Sequence, residues 1–300
     1  MLYSASGQLA AVAPFEFAQS LRFIGGFGPS AGEQTLAGRS LTKAVLIGEQ
    51  LVVFEVADAS AAGGALLSYT LHAASPIGPA LQRAAEDRIA FFLSLADNLR
   101  PFYALAKSDP VFEPIVRKLH GYHQVKFLTP FENAAWAVLT QRNSMAIART
   151  LKQRLTERYG ASLELGGITY TAFPSAAKLA QADPGELYDL LPTMRRAEYL
   201  QRAAVAFAVA DEGWLRTAPY EQAEAWLRAI KGLGAWSASF ILLRGLGRTE
   251  RLPFGEEKML AAASRAYGGG RAITQAEAER IAARYGEYQG YWAHYLRVGA

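Results

Sequence analysis

The stretch AIKGLGAWSASFILLRGLGRTERLPFGEEKML, residues 229–260, decides the fold of this chain. Just upstream, Pro219 opens a helix in which Ala223, Trp226, Leu227 and Ile230 recur at i, i+3, i+4 and i+7, so one face is apolar. Gly232 and Gly234 admit backbone angles that larger residues resist. The chain therefore reverses within Gly232-Leu233-Gly234 and begins a second helix near Ala235. The first amides of that second helix have no intrahelical acceptor. Together with the helix dipole they form a site for a phosphate oxygen, and the missing glycine side chains let a phosphate backbone come close. Such a grip is blind to base sequence. The same spacing also serves a plain tight turn between packed helices, so the hairpin alone leaves both readings open.

The continuation separates them. Leu242-Leu243-Arg244-Gly245-Leu246-Gly247 closes the second helix, and Pro253-Phe254-Gly255-Glu256-Glu257 follows as a short acidic loop. The whole segment resembles the signature of the helix-hairpin-helix DNA glycosylases, and within them the bacterial 3-methyladenine DNA glycosylase II type. The resemblance runs over nearly the whole chain. It takes in Pro14-Phe15-Glu16-Phe17, Ser20-Leu21-Arg22-Phe23, Leu99-Arg100-Pro101-Phe102-Tyr103, Thr129-Pro130-Phe131-Glu132 and Leu139-Thr140-Gln141-Arg142-Asn143-Ser144. It continues through Arg195-Arg196-Ala197-Glu198-Tyr199-Leu200 and Tyr291-Trp292-Ala293-His294-Tyr295-Leu296.

That resemblance implies an α+β fold: an amino-terminal antiparallel sheet domain over residues 1–77, then a mainly helical glycosylase domain over 78–300 with its hairpin near 219–246. It implies excision of alkylated purines flipped out of double-stranded DNA. The family's catalytic aspartate falls at Glu256. A carboxylate there stabilises the positive charge that develops on C1′ and the ring oxygen as the base leaves. Glutamate reaches further than aspartate by roughly 1.5 Å, one carbon-carbon bond, and misplacement on the order of 1 Å can lower a rate ~10²-fold. The alternative is therefore a catalytically weak or inactive damaged-DNA-binding relative. Glu257 next door is the other candidate carboxylate, although a one-residue shift turns its side chain aside; a solvated charge at a helix start is the plain reading of Glu257 and of Glu256 alike.

Bifunctional relatives carry a lysine nucleophile early in the second hairpin helix; here that position is Trp236, and Lys231 lies on the wrong side of the turn. A monofunctional enzyme using water, without lyase activity, is expected, which also disfavours oxidised guanine as substrate. Trp236, with Phe240 one turn later, is similar to an aromatic wall of the base pocket, where a cationic purine would stack; core packing is the other reading of such a stripe. Tyr288 resembles a further pocket aromatic. Gly232, Leu233, Gly234, Trp236, Gln141 and Arg142 are the expected DNA contacts, with Arg142 at the wedge position that fills the gap left by the base. The resemblance further implies a monovalent cation, Na+ or K+, on the backbone carbonyls of Arg228, Ile230 and Gly232, and no other cofactor.

Composition is compatible with these readings. The chain has 300 residues, 51% of them hydrophobic, which suits a sizeable core. A net charge of +4 and a pI near 9.2 favour a polyanionic partner. The absence of cysteine excludes disulfides, thiolate nucleophiles and a thiolate-held iron-sulfur cluster. No apolar run reaches membrane-span length and no leader pattern opens the chain, so a cytoplasmic, monomeric protein is expected, associated with the nucleoid in a bacterium.

Elsewhere, Leu41 to Val56 and Ala65 to Leu71, broken by Gly48 and the Ala57–Gly64 stretch, read as antiparallel strands. From Pro79 the period turns helical, with Leu81, Ala84, Ala85 and Ile89 on one stripe and everything after it expected to be helix. Asp183-Pro184 starts one helix and Met194 to Val209 forms another. His120 and His123 have no third metal ligand, and Gly25-Gly26-Phe27-Gly28 lacks the setting of a dinucleotide loop.

Overall fold

A computed structural model describes residues 2–60 and 65–299. Five strands form one antiparallel sheet in the order β1-β5-β4-β3-β2: β1 (Tyr3–Ala10), β2 (Gln34–Ala37), β3 (Ser40–Ile47), β4 (Gln50–Asp58) and β5 (Leu66–Ala73). Gly38 and Gly48 take positive φ in the two-residue turns that close β2–β3 and β3–β4, which suits the twist of a tight hairpin. β5 alternates half-buried and buried positions along its length, as expected of a strand with one face on the core. The sequence reading located β3, β4 and β5 but missed β1 and β2, whose residues are half-exposed or exposed at the sheet edges and carry little apolar alternation.

The helices are α1 (Phe17–Gly26), α2 (Pro79–Phe92), α3 (Arg100–Ala106), α4 (Glu113–Lys118), α5 (Pro130–Leu139), α6 (Met145–Tyr159), α7 (Ala176–Ala180), α8 (Pro184–Leu190), α9 (Met194–Ala208), α10 (Glu212–Thr217), α11 (Tyr220–Ala229), α12 (Ala235–Gly245), α13 (Glu257–Tyr267), α14 (Gln275–Ala282) and α15 (Gln289–Gly299). The expectation that everything after residue 79 is helical is corrected by a hairpin of β6 (Ala161–Leu165) and β7 (Ile168–Ala172), which packs on β3. Its signal lies in Gly166-Gly167, both at positive φ between short alternating runs. Among the described residues no helix is long and apolar enough to cross a membrane.

Two apolar cores position the site. One joins the inner face of the sheet to α2, α3 and α4 and, from the far end of the sequence, to α13, α14 and α15; Phe102 lies at its centre among Phe112, Tyr285, Tyr291 and Tyr295. The 77/78 division thus falls between β5 and α2, two elements that share this core. The other core surrounds α5, whose ten residues are all buried, the polar Glu132 and Asn133 included. Thr129 caps α5 by accepting from the Glu132 amide, and α12 lies against it, with Gly245 close to Pro130 and Asn133. Lys152 of α6 is buried between Glu132 and Glu33, at 2.6 and 2.5 Å, and Glu33 also pairs with Lys43 of β3. This chain of charges ties the sheet to the helical layer, and those two lysines hold the Glu33 carboxyl below its ordinary range against the opposing effect of burial.

Candidate DNA-binding and base-excision site

The hairpin forms, but only Gly232 of its two glycines uses the backbone freedom expected of both. Pro219 precedes the first turn of α11 as its cap, one residue outside the place expected. α11 ends where Ile230 turns extended, and Gly232 then takes φ +105°. A β-carbon on Gly232 would lie 2.4 Å from Cγ of Tyr199, whose ring packs under the turn. Gly234 differs: its φ is −84°, and no atom lies within 4 Å of where its β-carbon would be. It caps α12 without a side-chain acceptor, and the first backbone bond into the helix runs from Ala238 to the Gly234 oxygen, so the earlier amides are turned outward unpaired. Open space above a bare helix start is what an approaching phosphate requires.

The loop between α5 and α6 is fastened to this turn. The Gln141 side-chain amide donates to the Gly232 oxygen at 2.8 Å, and the Arg196 guanidinium donates to the Gln141 carbonyl at 3.1 Å. Next to Gln141, Arg142 is exposed and held at φ +55°, a conformation few side chains adopt. Gln141, Arg142, Asn143, Arg195, Arg196 and Tyr199 border a groove of about 670 Å³. The sequence reading thus places Gln141, Arg142 and the three hairpin residues Gly232, Leu233 and Gly234 on adjoining segments, although Leu233 itself is buried.

Beyond the hairpin, Trp236 and Phe240 stack on each other at 5.2 Å and 11°. They border a recess that also takes Phe254, Glu256, Arg244, His294 and Arg297. The acidic loop is locked to α12 by Ser239, whose hydroxyl donates to the Trp236 oxygen and accepts from the Phe254 amide, both at 3.1 Å. Gly255 turns at φ +64°, and Glu256 then caps α13, its carboxylate accepting from the Met259 amide at 2.8 Å. Its other oxygen faces Nε of Arg297 at 3.7 Å. This is how the longer side chain is accommodated: the cap bond folds it back toward its own helix. Glu257 is exposed and does not border the recess.

Tyr288 is not brought to this recess. Its ring packs against Phe102 in the first core and its hydroxyl donates to the Asn98 oxygen at 3.1 Å. The sequence reading also missed the floor of the recess, which comes from Arg244 and His294. Arg244 is buried over the rings of Phe23 and Phe27, at 5.1 and 5.0 Å, and donates to the Val125 oxygen at 2.7 Å; burial brings its guanidinium down to about 9. His294 has Nδ1 3.4 Å from that guanidinium and Nε2 2.9 Å from the Tyr122 hydroxyl. Burial, then Arg244 and Arg297, hold it well below its ordinary value, so it is neutral. Because a guanidinium only donates, Nδ1 accepts and the proton sits on Nε2, donated to Tyr122. The helical spacing of Ala293, His294 and Arg297 on α15 carried that signal, hidden among core aromatics.

The recess is narrow, about 20 Å³, room for little more than one water. A purine enters only if its rim parts, and the rim includes Phe254, 54% exposed on the loop that precedes Glu256. His123 is no metal ligand: its ring nitrogens lie 2.6 and 3.0 Å from the oxygens of Ser94 and Pro14, and no metal-holding cluster occurs among the described residues. The carbonyls of Ile230 and Gly232 accept one hydrogen bond each, from Leu233 and Gln141, which leaves each a second lone pair of the hard oxygen type that suits an alkali cation.

Known proteins resemble this chain in sequence and in fold. The model of the HhH-GPD superfamily of base excision DNA repair proteins matches residues 135–287. A DNA-3-methyladenine glycosylase of Bacillus subtilis is 30% identical over 207 residues, 68% of either chain. DNA-3-methyladenine glycosylase 2 of Escherichia coli is 39% identical over 118 residues, 38% of this chain and 40% of that one. Among solved structures, the 3-methyladenine DNA-glycosylase of Archaeoglobus fulgidus superposes with a TM-score of 0.81 at 19% identity over 97% of both chains. The 8-oxoguanine glycosylase/lyase of Clostridium acetobutylicum reaches 0.69 at 16% identity over 100% of this chain and 99% of that one, a likeness of fold alone. With hairpin, capped carboxylate and aromatic recess joined in one sequence, the chain belongs to the HhH-GPD superfamily of base-excision DNA repair glycosylases.

Proposed function

We propose that this protein is a monofunctional DNA glycosylase that hydrolyses the N-glycosidic bond of alkylated purines flipped out of duplex DNA. One observation carries the reading: Glu256, fixed as the cap of α13, borders the same recess as the stacked pair Trp236 and Phe240, and α12 runs from that recess back to the open helix start at Gly234. The amides at that start take a phosphate oxygen. Arg142 enters the duplex as the base leaves, and the flipped base parts the Phe254 rim to stack on Trp236.

As the bond from C1′ to the base nitrogen breaks, the electron pair leaves with the base and positive charge spreads over C1′ and the ring oxygen. The Glu256 carboxylate opposes that charge and orients water, whose oxygen bonds to C1′ while its proton is released. Trp236 has no amine to form a Schiff base, and Lys231, exposed and paired with Glu198 at 3.2 Å, points to no role in the recess. A Na+ or K+ on the carbonyls of Arg228, Ile230 and Gly232 would add positive charge beside the bound phosphate.

Incubation with methylated duplex DNA tests the proposal. Free alkylpurines should appear, with strand breaks only after alkali and no adduct trapped by borohydride. A trapped adduct would refute the water mechanism. Tight binding to damaged duplex with no released base would establish the damage-binding alternative instead.

A further inference from the structure

We infer that the free edge of β1 is a docking surface for a second copy of this chain, the two five-stranded sheets joining about a two-fold axis into one. This departs from the monomer expected of the sequence. β1 pairs with β5 along all eight of its residues without a bulge. The Ala11 amide donates to the Ala65 oxygen in the same register, so odd-numbered residues spend their backbone groups on β5 and even-numbered ones point theirs away. Ser4, Ser6, Gln8 and Ala10 thus hold an amide and a carbonyl each at the edge; all four are exposed, and these groups have no partner among the described residues. Proteins shield such an edge with lysine, proline, a bulge or brevity. The opposite edge, β2, is only four residues long. β1 carries no shield, and no charged side chain occurs before Glu16.

The strand is complementary to itself about Gly7. Laid antiparallel to a copy, β1 sets Ser4 opposite Ala10 of the second copy and Ser6 opposite Gln8 of the second copy, and the reverse, so every outward amide and carbonyl finds a partner. Gly7 of each copy meets at the axis, where the strands come closest, and the Tyr69 ring already fills its inward side. Leu2, Tyr3 and Val12 are large apolar residues left exposed, and they stand at the two ends of this strand. The same register brings Leu2 beside Val12 of the second copy and Tyr3 beside Ala11 of the second copy. Pairing therefore covers apolar surface as well as the edge, with no like charges opposed. No residue of the hairpin or the recess belongs to β1, so each copy keeps its own site.

Sedimentation velocity of the full chain across about 1–100 μM, a range suited to a small interface, tests the pairing. The wild type should move from 32.5 kDa toward twice that mass as concentration rises. Gln8→Pro removes an outward amide at an edge position where proline is tolerated and leaves the bonds to β5 in place. Its dissociation constant should rise by roughly tenfold or more, one bond being lost on each side of the axis. Gln8→Lys, at an exposed position, sets like charges diagonally across the axis and should weaken the dimer as well. Thermal unfolding checks that each variant keeps its fold; if Gln8→Pro lowers the midpoint, Gln8→Lys decides. Because the chain has no cysteine of its own, a mixture of Ser6→Cys and Gln8→Cys chains should cross-link under mild oxidation. Ser6→Cys alone, whose partners lie a diagonal apart, should not. A single-chain mass at every concentration would overturn the inference. So would a dimer that folded Gln8→Pro and Gln8→Lys chains form as readily as the wild type.

Discussion

Replacing Glu256 with glutamine removes the charge on which the proposed chemistry depends and little else. The side chain keeps its length, and its amide oxygen can still accept from the Met259 amide, so α13 keeps its cap. The carboxylate is 17% exposed and borders a narrow recess, so neither bulk water nor a dry interior describes its surroundings. At an effective dielectric of about 20, unit charges about 4 Å apart attract by about 4 kcal/mol. At roughly 1.4 kcal/mol per decade, that is ~10³-fold in the rate of bond breaking. The pair with Arg297, at 3.7 Å between partly exposed groups, contributes about 0–1 kcal/mol to stability, so the unfolding temperature should move by only a few degrees. Single-turnover release of an alkylpurine from a defined duplex, with thermal unfolding measured alongside, checks both. Release undiminished in Glu256→Gln would refute the assignment of the carboxylate. A loss that came with a collapse of the fold would assign Glu256 a structural duty instead.

The two hairpin glycines should respond in opposite ways. Gly232→Ala, forced against Tyr199 at positive φ, should lose about 1–3 kcal/mol or more in denaturant unfolding, whereas Gly234→Ala should stay within about 0.5 kcal/mol yet bind duplex DNA about tenfold more weakly by anisotropy, one charge-assisted amide bond being about 1.5 kcal/mol. Arg142→Gly relieves left-handed strain but loosens the unfolded chain, terms that offset to within about 1 kcal/mol; its effect should appear as slower excision of a base-paired lesion than of a mispaired one. Because His294 resists protonation in the fold, the unfolded chain takes that proton first, so the contribution is intact above about pH 6.5 and lost as pH falls below it. His294→Gln should flatten the decline in denaturation midpoint below pH 6.5, leaving a residue from His123, which burial lowers likewise.

The hairpin was legible because glycine at 232 states a backbone requirement directly, although Gly234 turned out to need none, and the Glu256 loop because proline and glycine precede it. The three middle strands were legible as apolar runs. β1 and β2 were not: β1 turns alternate residues inward, but those positions hold mostly small or polar side chains with only Leu9 packed on the core, and β2 spans four residues. β6 and β7 were overlooked although Gly166-Gly167 marks their turn. Around the recess, resemblance supplied Trp236, Phe240 and Glu256 but misplaced Tyr288, whose aromatic character is spent on Phe102. Arg244 and His294 escaped notice because a buried ion and a neutral imidazole look, in one dimension, like ordinary members of apolar helices; only α15 lying against α12 reveals them as neighbours.

That last contact has a consequence for how the protein comes into being. The hairpin is complete once α12 has been made, yet Ala293, His294 and Arg297 arrive with the final helix. A chain halted before residue 289 would already contain Trp236, Phe240 and Glu256 but lack the α15 side of the recess, its first core open where Tyr291 and Tyr295 should close over Phe102. The recess and the core that joins the sheet to the last helix are therefore completed by the same late segment, α15, and the hairpin segment alone does not carry the recess.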